Sequence, residues 1–266
     1  PDGIGIMCHE LSHALGLPDF YNTNYMSFGM DLWSLMDYGC YGSNGYVPCA
    51  YTAYEREFMG WQEIEEVTDS RALLLDPIAA GGKAYKVVND ENRLEYYVLE
   101  NRQAVGWDRS ICTKGHGLQV THVDFNSSAW NGNRVNNDVN HQRMTIIAAN
   151  NLYNGTYNSN NTIDQLNETW AGNLYPFGEN NSLTSTTVPA ATVFTESGYM
   201  KKDLLDITEN EDQTVSLSVQ FEIGTGVAPY AVPVKTYAAD VFDLQGRRVA
   251  DGVLRSGMYI SNGRKQ

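Results

Sequence analysis

The chain has 266 residues, a formal net charge of −14 and only 19% charged residues. That length is enough to bury a sizeable core, in one large domain or two modest ones, while the acidic balance excludes a nucleic-acid partner because little here could neutralise a run of phosphates. No apolar run approaches the ~20 residues that span a bilayer, and the abundance of Gly, Asn and Tyr suits a loop-rich β protein better than a disordered or coiled-coil one.

The first predicted element is a helix from about Gly3 to Leu15, with Asp2 as its N-cap, Gly16 as its stop and Pro18 beyond. It carries His9-Glu10-Leu-Ser-His13. Two histidines four apart project from one helical face, so both imidazoles can reach a single tetrahedral Zn2+ ion. Glu10 stands beside the first ligand, where its carboxylate can take a proton from a water on the metal. Gly16 lets the chain turn back and offers Asp19 as the third ligand, since a carboxylate oxygen binds zinc well. Two other readings stay open: Asp19 caps a turn after Pro18 while a later Glu or His completes the set, or the histidines are merely hydrogen-bonded groups of an amphipathic helix.

Further on comes Trp33-Ser-Leu-Met36-Asp-Tyr38-Gly39. In type and distance Met36 resembles the methionine of the turn that lies beneath the zinc ligands in metzincins. Tyr38 is a candidate for stabilising the oxyanion of a tetrahedral intermediate, with a plain surface aromatic as the alternative. The four cysteines, Cys8, Cys40, Cys49 and Cys112, form no CxxC pair, which speaks against a zinc ribbon or a thioredoxin-like site. Cys40 and Cys49 bracket a short segment and are either a small disulfide loop or free buried thiols. A second helix is predicted from about Tyr51 to Met59, with Tyr51, Tyr54 and Phe58 on one stripe and Gly60 at its end.

After Trp61 the pattern becomes short β-branched or aromatic runs at 72–75, 84–88, 94–99, 118–123, 144–148 and 215–221, separated by Gly, Asn and Asp clusters. This is the mark of an antiparallel sandwich or barrel. Residues 150–185 read as long surface loops. A Pro/Ala/Val stretch near 227–234 precedes a hairpin plus a strand in the tail. The expected fold class is therefore α+β, in three parts: residues 1–62 as the zinc-helix half of a catalytic domain, 63–228 as a sandwich-like β domain, and 229–266 as a small β tail.

The runs from His9 to Tyr21, Asp31 to Gly39 and Tyr46 to Glu55 resemble the immune inhibitor A family of bacterial secreted metallopeptidases. Tyr96–Gln103, Gly106–Asp108 and His122–Asp124 are similar to the β-rich region that follows the catalytic domain there, so the likeness covers roughly residues 1–150. It implies a secreted or cell-surface, metzincin-like zinc endopeptidase acting on protein or peptide substrates, with His9, His13 and Asp19 on the metal and Glu10 assisting attack by the metal's water. It also implies that the upper catalytic subdomain, which pairs with substrate, is missing from this fragment. The segments Val241–Val249 and Gly257–Ile260 resemble sorting tails that pass exported proteins to a secretion machinery. The competing function is a surface adhesion or binding module whose protease half is vestigial.

Two weaker clusters remain. His122 and Asp124, with His116 and His141 in the same region, are either a second metal site or hydrogen-bonded pairs. Asp108 and the Asn126–Asn140 stretch offer oxygen ligands suited to Ca2+, without EF-hand spacing.

Overall fold

The structure, a computed structural model, describes residues 3–152 and 163–222, together with the backbone of three short strands at 241–243, 259–261 and 264–265. Helix α1 runs Ile4–Leu15. Asp2, expected as its N-cap, lies outside the described residues, and Gly3 takes the N-cap position without a side-chain bond. The C-terminus closes on Gly16 at φ 107°, with Gly16 N–H donating to His13 O and Leu17 N–H to Ser12 O. That crossed pair of bonds is the Schellman arrangement, for which a left-handed glycine is the preferred residue. At the other end α1 presses on the 40–45 loop so closely that a Cβ on Gly5 would fall 1.9 Å from the Cys40 carbonyl oxygen.

Helix α2 is Ala53–Phe58. It begins two residues later than the apolar stripe predicts, because Thr52 and Glu55 form a reciprocal capping box that sets the first turn. Glu55 is fully buried and also accepts from Ser34 Oγ at 2.5 Å and Met36 N–H at 3.2 Å, tying the helix start to the Met36 turn.

The β strands form two main sheets. One has five strands in the order β1 (Glu65–Glu66), β3 (Tyr85–Val88), β4 (Glu95–Arg102), β5 (Gly117–Asp124) and β6 (Met144–Ile146). The β1–β3 pair is parallel and the remaining pairs are antiparallel. The other is antiparallel, in the order β2 (Arg71–Leu75), β8 (Val215–Phe221) and β7 (Lys202–Glu209), with a register shift between Leu205 and Thr208. Every residue of β4 and β5 is buried, because both faces of their sheet are covered. On one face Val88, Tyr96, Val98 and Val123 share a core with Leu17, Phe20, Met36 and Tyr54 from the helical part. On the other, Val87, Tyr97, Leu99 and Val120 share a core with Leu73, Leu75, Leu204 and Leu217 of the three-stranded sheet. Burying each such side chain stabilises the fold by about 1.5–3 kcal/mol.

A buried ionic bolt joins sheet to helical part. Arg102 bonds Glu100 Oε1 and Asp108 Oδ1, each at 2.9 Å. The same two acids reach across to backbone N–H groups, Glu100 Oε2 to Ala53 at 2.5 Å and Asp108 Oδ1 to Ala50 at 2.8 Å. Although burial works against its charge, Arg102 is held well above the usual guanidinium pKa by Asp108 and Glu100.

Of the two alternatives for the cysteines, the structure has free thiols, with Cys40, Cys49 and Cys112 buried. A Cβ on Gly39 would lie 2.4 Å from Cys49 Sγ, so this turn is held by close packing. Residues 150–185 are not only surface loop: α4 spans Ile163–Ala171, and Trp170, Leu174 and Leu183 are buried. Leu166 and Trp170, one turn apart, supply the apolar contact of that helix with the core, too sparse a pattern to stand out among Asn and Thr. Strand β7 and the short helix α3 (Ser127–Asn131) were also unanticipated. In the tail, strands 241–243, 259–261 and 264–265 pair antiparallel with one another, and the rest of 229–266, with most of the sorting-type motif, lies outside the described residues. Among the described residues no helix is long and apolar enough to cross a membrane.

Candidate metal centre

Each histidine of α1 is aimed by a backbone carbonyl outside the helix. His9 Nδ1 bonds Leu35 O at 2.9 Å, and His13 Nδ1 bonds Leu17 O at 2.8 Å. A carbonyl only accepts, so both Nδ1 atoms carry the proton and both Nε2 atoms are lone-pair donors in the neutral rings. The rings stand edge to face, with centroids 4.7 Å apart and planes at 88°. Both Nε2 atoms face one oxygen, Asp19 Oδ1, at 3.2 Å from His9 and 3.1 Å from His13.

The carboxylate is fixed from its other side. Asp19 Oδ2 accepts from Asn133 Nδ2 at 2.7 Å, and Asp19 N–H donates to Asn133 Oδ1 at 2.6 Å. Oδ1 is buried and accepts no conventional hydrogen bond. Three acceptor atoms so placed repel one another unless a cation or a proton lies among them. Tetrahedral zinc with bonds of ~2.0–2.1 Å sets its ligand atoms ~3.3 Å apart, close to the spacings found. The donor set fits zinc, and among the described residues these are the only three or more His, Cys, Asp or Glu side chains near enough to share an ion.

Burial opposes charge on His9, yet the bonds to Asp19 and to the Leu35 carbonyl hold its pKa up at about 10. Burial likewise opposes charge on Asp19, and His9 and Asn133 together keep its carboxyl below the usual range. Tyr21 stands beside them: burial raises its pKa above the ordinary phenol range, as does the Asp19 carboxylate that it hydrogen-bonds.

The remaining predicted residues divide. Glu10 is exposed on α1, and among the described residues its side chain makes no hydrogen bond or ion pair. Met36 is fully buried, and its carbonyl accepts from Phe20 N–H at 2.9 Å, next to the metal-facing loop. Tyr38 is half-exposed, its ring near Tyr41 and Trp170. Asn133 escaped the sequence reading because nothing in local spacing marks a partner 114 residues away, and the orienting Leu17 and Leu35 carbonyls because a backbone acceptor carries no sequence signal.

The stretch holding these ligands matches the family model described as the immune inhibitor A peptidase M6 catalytic domain, over residues 1–63. This segment is similar to the immune inhibitor A family. The chain is 34% identical over 74 residues to immune inhibitor A of Bacillus thuringiensis subsp. alesti, covering 24% of this chain and 11% of that protein. It is 36% identical over 59 residues to the pre-pro-metalloprotease PrtV of Vibrio cholerae serotype O1 (strain M66-2), covering 21% of this chain and 6% of that protein. The chain thus spans about a tenth or less of these relatives' length. No solved structure matches it. The immune inhibitor A match stops short of the downstream β motifs and of Asn133.

Those β-region groups are engaged elsewhere. His122 Nε2 pairs with Glu95 Oε1 at 2.8 Å, His141 Nε2 with Asp124 Oδ2 at 2.7 Å, and His116 Nδ1 with Glu209 Oε1 at 2.6 Å. They assemble no second group of three close ligands. Asp108 serves the Arg102 bolt. In the Asn-rich stretch read for calcium, Asn136 Nδ2 donates to the Phe20 and Met144 carbonyls, each at 2.7 Å, and Asn137 Oδ1 accepts from Thr23 N–H at 2.9 Å. A cavity of about 670 Å³ opens beside His122, Thr145 and Phe194, and none of His9, Glu10, His13 or Asp19 lines it.

Proposed function

We propose that this chain contributes the metal-binding part of a zinc-dependent endopeptidase that hydrolyses peptide bonds in proteins outside the cell. The observation that carries the reading is the convergence of His9 Nε2, His13 Nε2 and an otherwise orphaned Asp19 Oδ1. The similarity of residues 1–63 to a metallopeptidase catalytic domain supports the same chemistry.

When bound, zinc supplies a Lewis acid that polarises the scissile carbonyl and lowers the pKa of water. His9, His13 and Asp19 hold it. Glu10, uncommitted and next to His9, receives the proton of the attacking water and delivers it to the leaving amine. Met36 floors the site through the turn whose Leu35 carbonyl aims His9. Tyr38 reaches the oxyanion from the rim, provided that its half-exposed ring swings inward. In this reading the catalytic unit is larger than this chain. Ile4, Met7 and Leu11 form an exposed apolar stripe on α1, which a further segment would cover.

Elemental analysis of the purified chain, beside a His13→Ala variant, tests the reading. About one zinc per chain, lost in the variant, is the expected result. Well-folded protein that takes up no zinc would overturn it.

A further inference from the structure

We infer that Asn133, from the β region beyond the family-matched segment, is the positioning residue that makes Asp19 a one-oxygen metal ligand; this rests on the zinc reading above. Helix α3 ends in a Schellman cap, with Arg134 N–H donating to Ala129 O at 3.0 Å and Asn133 N–H to Trp130 O at 3.1 Å. That cap requires a left-handed residue after the helix, and Asn is the commonest choice after Gly. Asn133 takes it at φ 51°. The cap is anchored by Trp130, which is buried with its ring against Phe20, Tyr54 and Phe125. Phe20 is the neighbour of Asp19, so the core that seats α3 also seats the third ligand.

From this position the Asn133 amide grips Asp19 twice, through its backbone N–H and through Oδ2. Either carboxylate oxygen could in principle meet a metal. With Oδ2 occupied by an N–H donor, Oδ1 is the one turned to the two imidazoles. The amide also spreads charge away from Oδ2 and locks the carboxylate rotamer, as outer partners of metal ligands do elsewhere. A neutral donor is needed here: a carboxylate at 133 would repel Asp19, and an alkyl side chain would leave Oδ2 without a partner. The Asn-rich 133–137 stretch therefore serves the catalytic loop in two separate ways. Asn133 sets the ligand, and Asn137 docks Thr23 of the same loop through its N–H and Oγ1 without touching Asp19.

The positive φ makes Asn133→Gly a clean test, because glycine accepts this backbone and no core side chain is removed. Zinc affinity of the full chain should be measured by competition with a chromophoric chelator, for wild type, Asn133→Gly, Asn133→Asp and Asn137→Ala. Loss of an outer partner costs about 10–100-fold in metal affinity. Asn133→Gly is expected at about tenfold weaker, with a lowered thermal midpoint because Asp19 N–H and Oδ2 lose their partners, Asn133→Asp at least as weak, and Asn137→Ala within about twofold of wild type. Cobalt(II) loaded in place of zinc should show altered visible bands in Asn133→Gly and unaltered ones in Asn137→Ala. Wild-type affinity in Asn133→Gly overturns the positioning role. So does an equal loss in Asn137→Ala, which would reduce the effect to loop docking. A wild-type chain that binds no zinc overturns the metal centre itself.

Discussion

The Leu35 carbonyl receives the Nδ1 proton of His9 at 2.9 Å, across 26 residues of chain. The first candidate ligand is therefore oriented by the Met36 turn and not by its own helix. That turn is held in its turn by Glu55, whose Oε1 accepts from Ser34 Oγ and Met36 N–H while Oε2 accepts from Thr52 N–H at 2.6 Å. Met36 N–H keeps Ser34 Oγ as an acceptor at 3.0 Å, so removing the Glu55 side chain strands two buried donors, Ser34 Oγ–H and Thr52 N–H, and each stranded donor costs about 1–3 kcal/mol. Glu55→Ala should lower the urea-unfolding free energy by about 3–5 kcal/mol and weaken zinc binding, while Glu55→Gln keeps an acceptor and loses less. A Glu55→Ala chain as stable as wild type would show that the turn holds without it.

Glu10 is the opposite case, exposed and, among the described residues, unpaired. Glu10→Gln should leave the thermal midpoint and zinc content unchanged. General acid–base catalysis contributes about 10²–10⁴-fold, so peptide turnover by the catalytic unit carrying the substitution should fall by that factor. Retention of most of the rate would assign the proton transfer to another group.

The raised pKa of His9 has consequences for pH. The His9 pKa of about 10 lies above its ordinary value of 6.5. Stability from the protonated ring is thus fully present below about 6.5 and is lost as pH rises through about 10. The lowered Asp19 works the other way, its contribution being present above the ordinary carboxylate value and lost as pH falls through the depressed one. Zinc must displace the His9 proton. Calorimetry in buffers of different ionisation heat should find about one proton released per zinc near pH 7.5, and apparent affinity should rise about tenfold per pH unit towards 10. Zinc uptake without proton release at pH 7.5 would mean that His9 is already neutral.

The candidate ligand cluster was legible because helical spacing is local: His9, Glu10, His13 and the glycine stop at Gly16 declare a helix face and a return turn without reference to the rest of the chain. Most of the β strands, though not β7, were legible for the same reason, from runs such as Leu118–Val123. The support of the site was not. Asn133 meets Asp19 through tertiary packing, and in sequence it is one Asn among many, which is why its stretch read equally well as a calcium loop. Continuous burial of β4 was likewise hidden, since Glu95, Glu100 and Arg102 put charged residues on both faces of a strand whose two sides are both covered.

Arg102 gives the sharpest test of that burial. Its guanidinium is fully buried between Glu100 and Asp108, and these acids also hold the backbone at Ala53 and Ala50. Removing the cation leaves two carboxylates facing each other in the interior, and breaking such a pair costs about 3–5 kcal/mol. Arg102→Met, which keeps most of the volume, should lose that much in urea unfolding measured at neutral pH. Because the stranded acids can recover by taking up a proton, the deficit should shrink as pH is lowered towards 5. A deficit that is small, or that grows on acidification, would mean that the bolt is solvated and that apolar packing alone joins the sheet to the metal-binding part.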